Sequence, residues 1–503
     1  LRNTTCGGIA DFRTNVGRWL EQVFKAFVPE NRLHLEGLGE IIMQVAGQKM
    51  QAWLNRLIGS EKQNLGLRAY LERIPRVSDL TDVPSGTVVL VRGDLDAKPG
   101  AKLGEGDIRL RSMKETLQIG RDRGWIQVIF GHIGRDPQLS LEKVGKRLSE
   151  IMGCPVRLIS DWFDHATETI LPEVKAVLAE AKPGDLILLE NTRKYDMERI
   201  LWKAKAADIP KLADRLAKIA NEFSSKIGTV YVHEAFSAGS LDTSSVVVPA
   251  AMDKVALGEY SYGEFAGPLT VCLNAQLVIS SGLKIDKLDD LEAMINRGRI
   301  RWVFSAGSLA VGLIKAAAQL EGRDFCIGVA EDPAHADKPY YIPQDRIDQA
   351  KRILADGKAK GIQFVMPVDF VLQDGRVSTT IGPGEQQLDV GPATVELFEQ
   401  KIGEFIEWAK RLNEPAVAFH NGVFGKFEES QFEGGTRRFM KQLKRLKDAG
   451  VQVFVGGGEG GKALEKYGDS AWGVYNFTAG GTVLNALGSD PVPFLVALEL
   501  AAQ

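Results

Sequence analysis

Thr87-Val88-Val89-Leu90-Val91-Arg92-Gly93-Asp94-Leu95-Asp96 decides how this chain is read. Its first five residues are mostly branched and apolar with no polar alternation, which predicts a strand buried on both faces. Charged residues follow at once. The pattern recurs where Gln127–Phe130 runs into Gly131-His132-Ile133-Gly134-Arg135, and where Asp185–Leu189 runs into Glu190-Asn191-Thr192-Arg193. It recurs again where Thr229–Val232 runs into His233-Glu234-Ala235-Phe236-Ser237. After Gly267 a second series begins, with Leu269–Leu273, Trp302–Phe304, Gln363–Met366, Ala416–Phe419 and Val451–Val455 as strand candidates between helical stretches. Such alternation means an α/β chain with parallel sheets. Two series predict two doubly wound parallel-sheet domains facing a cleft, over residues 76–260 and 261–503, joined near Tyr260–Pro268.

Residues 1–75 read differently, as a helical extension. Val16, Trp19, Leu20, Val23, Phe24 and Phe27 recur at steps of three and four until Pro29. Ile42, Val45, Ala46, Met50, Trp53, Leu54 and Leu57 form a second stripe. Such stripes pack on a neighbouring domain or dock a partner. The α/β pattern is complete from about Pro75, so no sheet needs this segment. Large aromatics anchor interfaces, and docking of another protein through these helices is the expectation.

The chain has 503 residues, 44% hydrophobic and 25% charged, which excludes a disordered chain and favours several domains. Its net charge of -3 gives no global pull towards nucleic acid or acidic membranes. No apolar run is long enough to span a bilayer. Cys6, Cys154, Cys272 and Cys326 are widely spaced without a C-x-x-C pair, which fits a reducing compartment such as the cytoplasm or a plastid. Leu1 is not an initiator Met, as expected if a targeting segment has been removed.

In open parallel sheets, ligands bind beyond the carboxyl ends of the strands. There the first half places arginines and a histidine, with Asp107-Ile108-Arg109 between the first two strands. Guanidinium forks match phosphate and carboxylate oxygens, and Asp94 or Asp96 can accept from a hydroxyl. The expected ligand is small, anionic and hydroxylated. In the second half, Gly456-Gly457-Gly458 follows Val451–Val455 and precedes a helix, an arrangement suited to phosphates. Gly456 to Lys462 nearly spells a P-loop, but Ala463 stands where the magnesium-binding hydroxyl belongs, and the match is read as chance.

At these residues the chain resembles phosphoglycerate kinase. Arg92–Asp96 is similar to the family's R-V-D-F-N, His132–Arg135 to H-L-G-R, Glu190–Arg193 to E-N-L-R and His233–Ser237 to N-D-A-F-G. Met366–Asp369 resembles L-P-V-D, Leu388–Pro392 L-D-I-G-P, Asn421–Glu428 N-G-P-V-G-V-F-E, Val455–Glu459 I-G-G-G-D and Thr478–Gly481 T-G-G-G. The resemblance implies a substrate-type first domain and a nucleotide-type second. It implies Arg109 as the catalytic arginine, with Asp94, Asp96, His132, Arg135 and Arg193 placing a phosphorylated acid. It further implies Asn421, Glu428, Gly456, Gly457, Gly458 and Glu459 around ATP or ADP, with Glu459 holding Mg2+.

The departures fall on the chemistry. Phosphoryl transfer needs cations around the moving group. The family's lysine pair in G-G-A-K-V-x-D-K is lost to Leu277 and Ser281, and Lys284 and Lys287 lie nearby but out of phase. The A-H-R-x-H segment has become Gly239-Ser240-Leu241-Asp242-Thr243, with Leu241 for arginine, and G-G-G-M has become Ser305-Ala306-Gly307-Ser308. The helix between the domains reads as shortened around Ala256–Gly267. The expectation is a phosphoglycerate-kinase-like protein with impaired transfer, serving as a ligand-binding or scaffold subunit. The alternative is an active enzyme making 3-phosphoglycerate and ATP from 1,3-bisphosphoglycerate and ADP.

Overall fold

The structure, a computed structural model, describes residues 32–503. The stripe from Val16 to Phe27, and Cys6, lie outside the described residues. Cys154, Cys272 and Cys326 are free thiols.

The first sheet has six parallel strands in the order Val156–Ile159, Leu186–Leu189, Ile126–Phe130, Val88–Arg92, Val230–His233, Lys254–Leu257. Arg92 stands level with Phe130 on one side and His233 on the other. The chain leaves Val88–Arg92 on one side and returns on the other, a switch point where the strand ends leave a crevice. The second sheet repeats the arrangement, in the order Gln363–Val365, Trp302–Ser305, Leu277–Ser280, Val417–Asn421, Gln452–Gly456, Tyr475–Asn476. A small antiparallel sheet of Phe370–Leu372, Val377–Ser378 and Gln387–Val390 lies beside it.

One strand expectation fails. Leu269–Leu273 is helical, and the first strand of the second sheet is Leu277–Ser280. A short apolar run does not distinguish strand from buried helix. The segment that links the two sheets is helical. Glu259–Glu264 continues through a π-helical turn, Phe265–Leu269, into Thr270–Cys272. Pro268 has no N–H to donate, and the π turn carries the helix past it. Thr270 Oγ1 donates to the Phe265 carbonyl at 2.7 Å.

The helix Arg32–Ile58 lies along Ile209–Lys226. Met50, Leu54 and Leu57 are buried there, and Trp53 Nε1 donates to the Val246 carbonyl at 2.8 Å. Trp53 and Leu57 therefore serve this chain's own first domain, which corrects their assignment to a docking face. The C-terminal helix Pro493–Ala502 also returns to the first domain. Its Phe494 stacks on His233 with ring centroids 4.1 Å apart, and Glu499 pairs with Arg73 at 2.7 Å.

Leu54 is fully buried. Leu54→Ala is expected to remove about 2–5 kcal/mol of stability, measured by denaturant unfolding of the full chain. A change below about 0.5 kcal/mol, typical of a surface site, would mean the helix does not belong to the core.

Candidate functional site

Arg92 is fully buried at the end of its strand. Its Nε donates to Ser244 Oγ at 2.8 Å, one terminal nitrogen to the Gly93 carbonyl at 2.7 Å, and the other to His132 Nδ1 at 2.9 Å. That last nitrogen also lies 3.4 Å from Asp242 Oδ2 and 4.0 Å from Glu198 Oε1. Asp242 meets Arg193 at 3.8 Å as well. Burial raises the Asp242 carboxyl, but the guanidinium charges of Arg92 and Arg193 outweigh it and hold it well below the usual carboxylate range. Burial and the Asp242 charge push neighbouring Glu198 up to about 7. His132 accepts from Arg92, and burial with the two cations keeps it neutral.

His132, Glu198 and Asp242 place ligand atoms within 4.8 Å of one another, as a metal site would. The guanidinium of Arg92 already sits among them. Binding a metal would require displacing a buried, fully bonded cation, so the residues do not fit one.

The expected open basin is thus neutralised from within. Arg193 donates to the Gly134 carbonyl at 2.5 Å and lies 4.8 Å from the Trp202 ring centroid. Trp202 Nε1 in turn donates to Asp242 Oδ1 at 2.8 Å, so the indole covers the pair. Arg109 bonds Asp96 Oδ2 at 3.0 Å, stands 3.8 Å from Asp94, and reaches the Thr478 carbonyl of the second domain at 3.1 Å. Asp96 also accepts from the Gly134 N–H at 2.8 Å. Burial raises its carboxyl, but that bond and Arg109 hold it below the usual range. Asp94 accepts from Ser237 Oγ at 2.7 Å. Arg135 is exposed, with no hydrogen bond or ion pair among the described residues. Of the arginines singled out by sequence, Arg109 and Arg193 have their charges met inside the protein, and Arg135 alone does not.

In the second domain a cavity of about 400 Å³ opens beyond the strand ends. Val311, Ile327, Val329, Leu388 and Phe424 give it an apolar wall, and Glu428 and Glu459 are polar groups on its lining. The three glycines have different duties. A Cβ on Gly456 would press on the Phe419 ring at 2.8 Å. Gly457 has φ +101°, and a Cβ there would meet Asn421 Nδ2 at 2.9 Å. Only Gly458 faces open space, at the start of the helix Gly458–Tyr467. Asn421 is buried and donates to the Gly456 carbonyl at 2.8 Å, so it ties two strands and does not line the cavity. Lys462 is exposed and Ala463 buried, which leaves the P-loop match without a role.

Leu277 is buried in the apolar core and Ser281 against the Asn421 carbonyl. Because the first strand of this sheet is Leu277–Ser280, the stretch that follows it is Ser281-Gly282-Leu283-Lys284-Ile285-Asp286-Lys287, which corrects the expected loss of the lysine pair: Lys284 and Lys287 stand there, one residue closer together than in G-G-A-K-V-x-D-K. Lys284 is exposed, and the half-buried one is Lys287. It opens the helix Lys287–Asn296 and donates to the Ser281 carbonyl. A methyl group on Gly282 would sit 3.0 Å from its Nζ and 3.9 Å from Glu459 Oε2. Burial lowers its pKa to about 8. Asp242, Trp202 and Lys287 are the residues that sequence reasoning missed. Asp242 lay inside a quoted motif but was weighed only for the cations missing there.

A sequence profile of phosphoglycerate kinase matches residues 78–490. The chain belongs to the phosphoglycerate kinase family. Cytosolic phosphoglycerate kinase of Nicotiana tabacum is 26% identical over 437 residues, covering 82% of this chain and 96% of the relative. Phosphoglycerate kinase of Thermosipho africanus is 28% identical over 413 residues, covering 78% and 90%. The structure of phosphoglycerate kinase from Coxiella burnetii matches with a TM-score of 0.61 at 21% identity, over 86% of this chain and 100% of that one. The enzyme from Pyrococcus horikoshii matches at 0.62 and 22%, over 84% and 98%. These two structures share the fold of two parallel-sheet α/β domains. Among the described residues no helix is long and apolar enough to cross a membrane.

His420, at the end of its strand, is buried without a hydrogen-bond partner for either ring nitrogen. Burial, then the Lys287 charge, pulls its pKa down to about 3. The unfolded ring protonates below about pH 6.5 while the folded ring stays neutral, so its stabilising contribution is present above that pH and is lost as pH falls towards 3. Between pH 7 and pH 5 the wild type should lose about 2 kcal/mol more stability than His420→Phe, read from urea unfolding at both pH values. Equal losses would show that the ring titrates normally.

Proposed function

We propose that this phosphoglycerate-kinase-family protein keeps a nucleotide site but has little or no phosphoryl transfer, and acts as a ligand-binding or scaffold subunit. The observation that carries this reading is Asp242, which lies 3.4 Å from Arg92 and 3.8 Å from Arg193. A carboxylate of the protein occupies the place where the charge of an anionic substrate would be met. Leu241, where the resembled A-H-R-x-H segment has arginine, removes a cation besides. One preorganised stabiliser is worth about 10²–10³ in rate.

The second-domain cavity supports nucleotide binding. Its apolar wall suits a base, Gly458 opens a helix N-terminus for phosphates, and Glu459 stands on that first turn. Magnesium is held by one or two carboxylates together with phosphate oxygens, so Glu459 fits as its protein ligand. The metal would supply neutralisation of phosphate charge there. A scaffold role would fall to the stripe from Val16 to Phe27. The family's cytosolic and chloroplastic members fit the reducing compartment read from the cysteines.

In a coupled assay with 1,3-bisphosphoglycerate and ADP, turnover is expected at least about 10²-fold below a typical ~10 s⁻¹ enzyme. Turnover within tenfold of that value would establish the active enzyme instead.

Asp242→Ala leaves two buried guanidinium groups without their anion, which should cost about 3–5 kcal/mol of stability. Millimolar 3-phosphoglycerate should then raise the melting temperature of the variant clearly and that of the wild type little. Equal shifts in both would show that Asp242 does not compete with an anionic ligand.

A further inference from the structure

A second cavity, of about 520 Å³, opens where the N-terminal segment, the second domain and the C-terminal segment meet. It shares no lining residue with the cavity at the strand ends. Three stretches far apart in sequence build its walls. Leu65 lies between the helices Arg32–Ile58 and Leu67–Arg73, Ala293 and Arg297 lie at the end of the helix Lys287–Asn296, and Val492 and Leu495 lie at the start of the helix Pro493–Ala502. Leu65, Leu67, Leu273, Val492 and Leu495 give the cavity an apolar wall.

Among the described residues that line this cavity, only Arg297 carries a charge. It is half-buried. One of its terminal nitrogens donates to the Leu487 carbonyl, and at 3.3 Å to the Gly488 carbonyl, at the C-terminus of the helix Gly480–Leu487. A cation suits that negative helix end, but the contact does not use the whole group. Nε and the other terminal nitrogen make no hydrogen bond among the described residues, and both stay accessible. No carboxylate among the described residues pairs with the guanidinium, and burial lowers its pKa. Lys62 and Asp490, which flank the lining residues Asn64 and Ser489, pair with each other at 2.8 Å. A partly desolvated cation with free donors and no counter-ion gains most from a ligand that brings one. Cavities of this size, apolar with a few convergent polar groups, are the usual form of small-molecule sites.

We propose that this cavity binds a small organic monocarboxylate, with its carboxylate on Arg297 and its hydrocarbon body against Leu65, Leu273, Val492 and Leu495. A single guanidinium balances one negative charge, and Lys62 is already matched by Asp490, so a monoanion fits better than a phosphate dianion. The apolar wall calls for a body that a bare inorganic anion lacks. A ligand seated there touches all three stretches at once and holds the N-terminal segment to the second domain. The site stands apart from the nucleotide-binding reading and does not depend on it.

The test is calorimetric titration of the full chain near pH 7 with octanoate, beside acetate, octan-1-ol and inorganic phosphate. Octanoate should bind at least about tenfold more tightly than acetate, which lacks the body, and than octan-1-ol, which lacks the charge. Arg297→Met should weaken octanoate by about tenfold or more and leave octan-1-ol within about twofold. Arg297→Lys should recover part of the loss. Ala293→Phe, which fills the cavity and keeps the arginine, should weaken octanoate and octan-1-ol together. Thermal unfolding without ligand shows whether each variant is folded. Should Arg297→Met fail to fold for want of its helix-end contact, Arg297→Lys and Ala293→Phe still decide the matter. If wild type does not bind octanoate at millimolar concentration, Arg297 only caps a helix and the proposal falls. It falls equally if Arg297→Met or Ala293→Phe binds octanoate as wild type does. Acetate, octan-1-ol or phosphate binding wild type as tightly as octanoate would overturn it too.

Discussion

Two guanidinium groups buried at the edge of a parallel sheet must find negative charge, and Asp242 supplies it. Arg92 has no exposed surface, and Arg193 is closed over by Trp202. Unpaired, either charge would be prohibitively desolvated. The rest of the edge is arranged around this requirement. His132 stays neutral and accepts from Arg92, Glu198 is pushed towards its protonated form, and Ser244 bonds both Arg92 and Glu198. The counter-charge of both guanidinium groups is encoded in the chain.

The second domain has the opposite character. Its strands end in a cavity with an open glycine, an exposed carboxylate and a lysine resting on a carbonyl. At the first sheet's strand ends Arg92, Arg109 and Arg193 are paired internally and Arg135 stays exposed, while the second domain presents a carboxylate and a lysine to its cavity. The halves are joined by the helix through Pro268 and are in direct contact, since Arg109 bonds the Thr478 carbonyl and Thr482 Oγ1 bonds the Phe236 carbonyl at 2.6 Å.

Much of the architecture was legible in the sequence because fully buried parallel strands leave unbroken apolar runs. Thr87–Val91 was placed within a residue of the strand Val88–Arg92. Leu269–Leu273 was misread because a buried helical turn is equally apolar, and only the tertiary path around Pro268 separates the two. Val156–Ile159 and Lys254–Leu257, at the two edges of the first sheet, escaped notice. The first is half exposed and so lacks an unbroken apolar run. At the site, residue types were legible but their pairings were not. Arg109 and Arg193 were found by their place after strands, yet which carboxylate meets which guanidinium depends on side-chain packing across the sheet edge. Lys284 and Lys287 look out of phase only while Leu269–Leu273 is taken as the strand that the lysine motif follows; that strand is Leu277–Ser280. A helix start that folds back over its own strand end brings residues six apart into contact, and no motif spacing records that.

The C-terminal helix has a consequence for how the molecule comes into being. Phe494, Leu495, Val496, Ala497 and Leu498 belong to the same apolar cluster as Tyr231 and Leu257 of the first domain and Leu54 of the helix packed on it. Chains are made from the N-terminus, and domains ordinarily fold in that order as they emerge. Here the domain synthesised first lacks part of its core until the helix Pro493–Ala502 has been made and has emerged. The intervening domain carries its own sheet, complete by Asn476, and has every strand in hand earlier. Until that helix packs, the first domain keeps an uncovered apolar face, so a product that stops before Pro493 exposes a surface that chaperones and proteases can read.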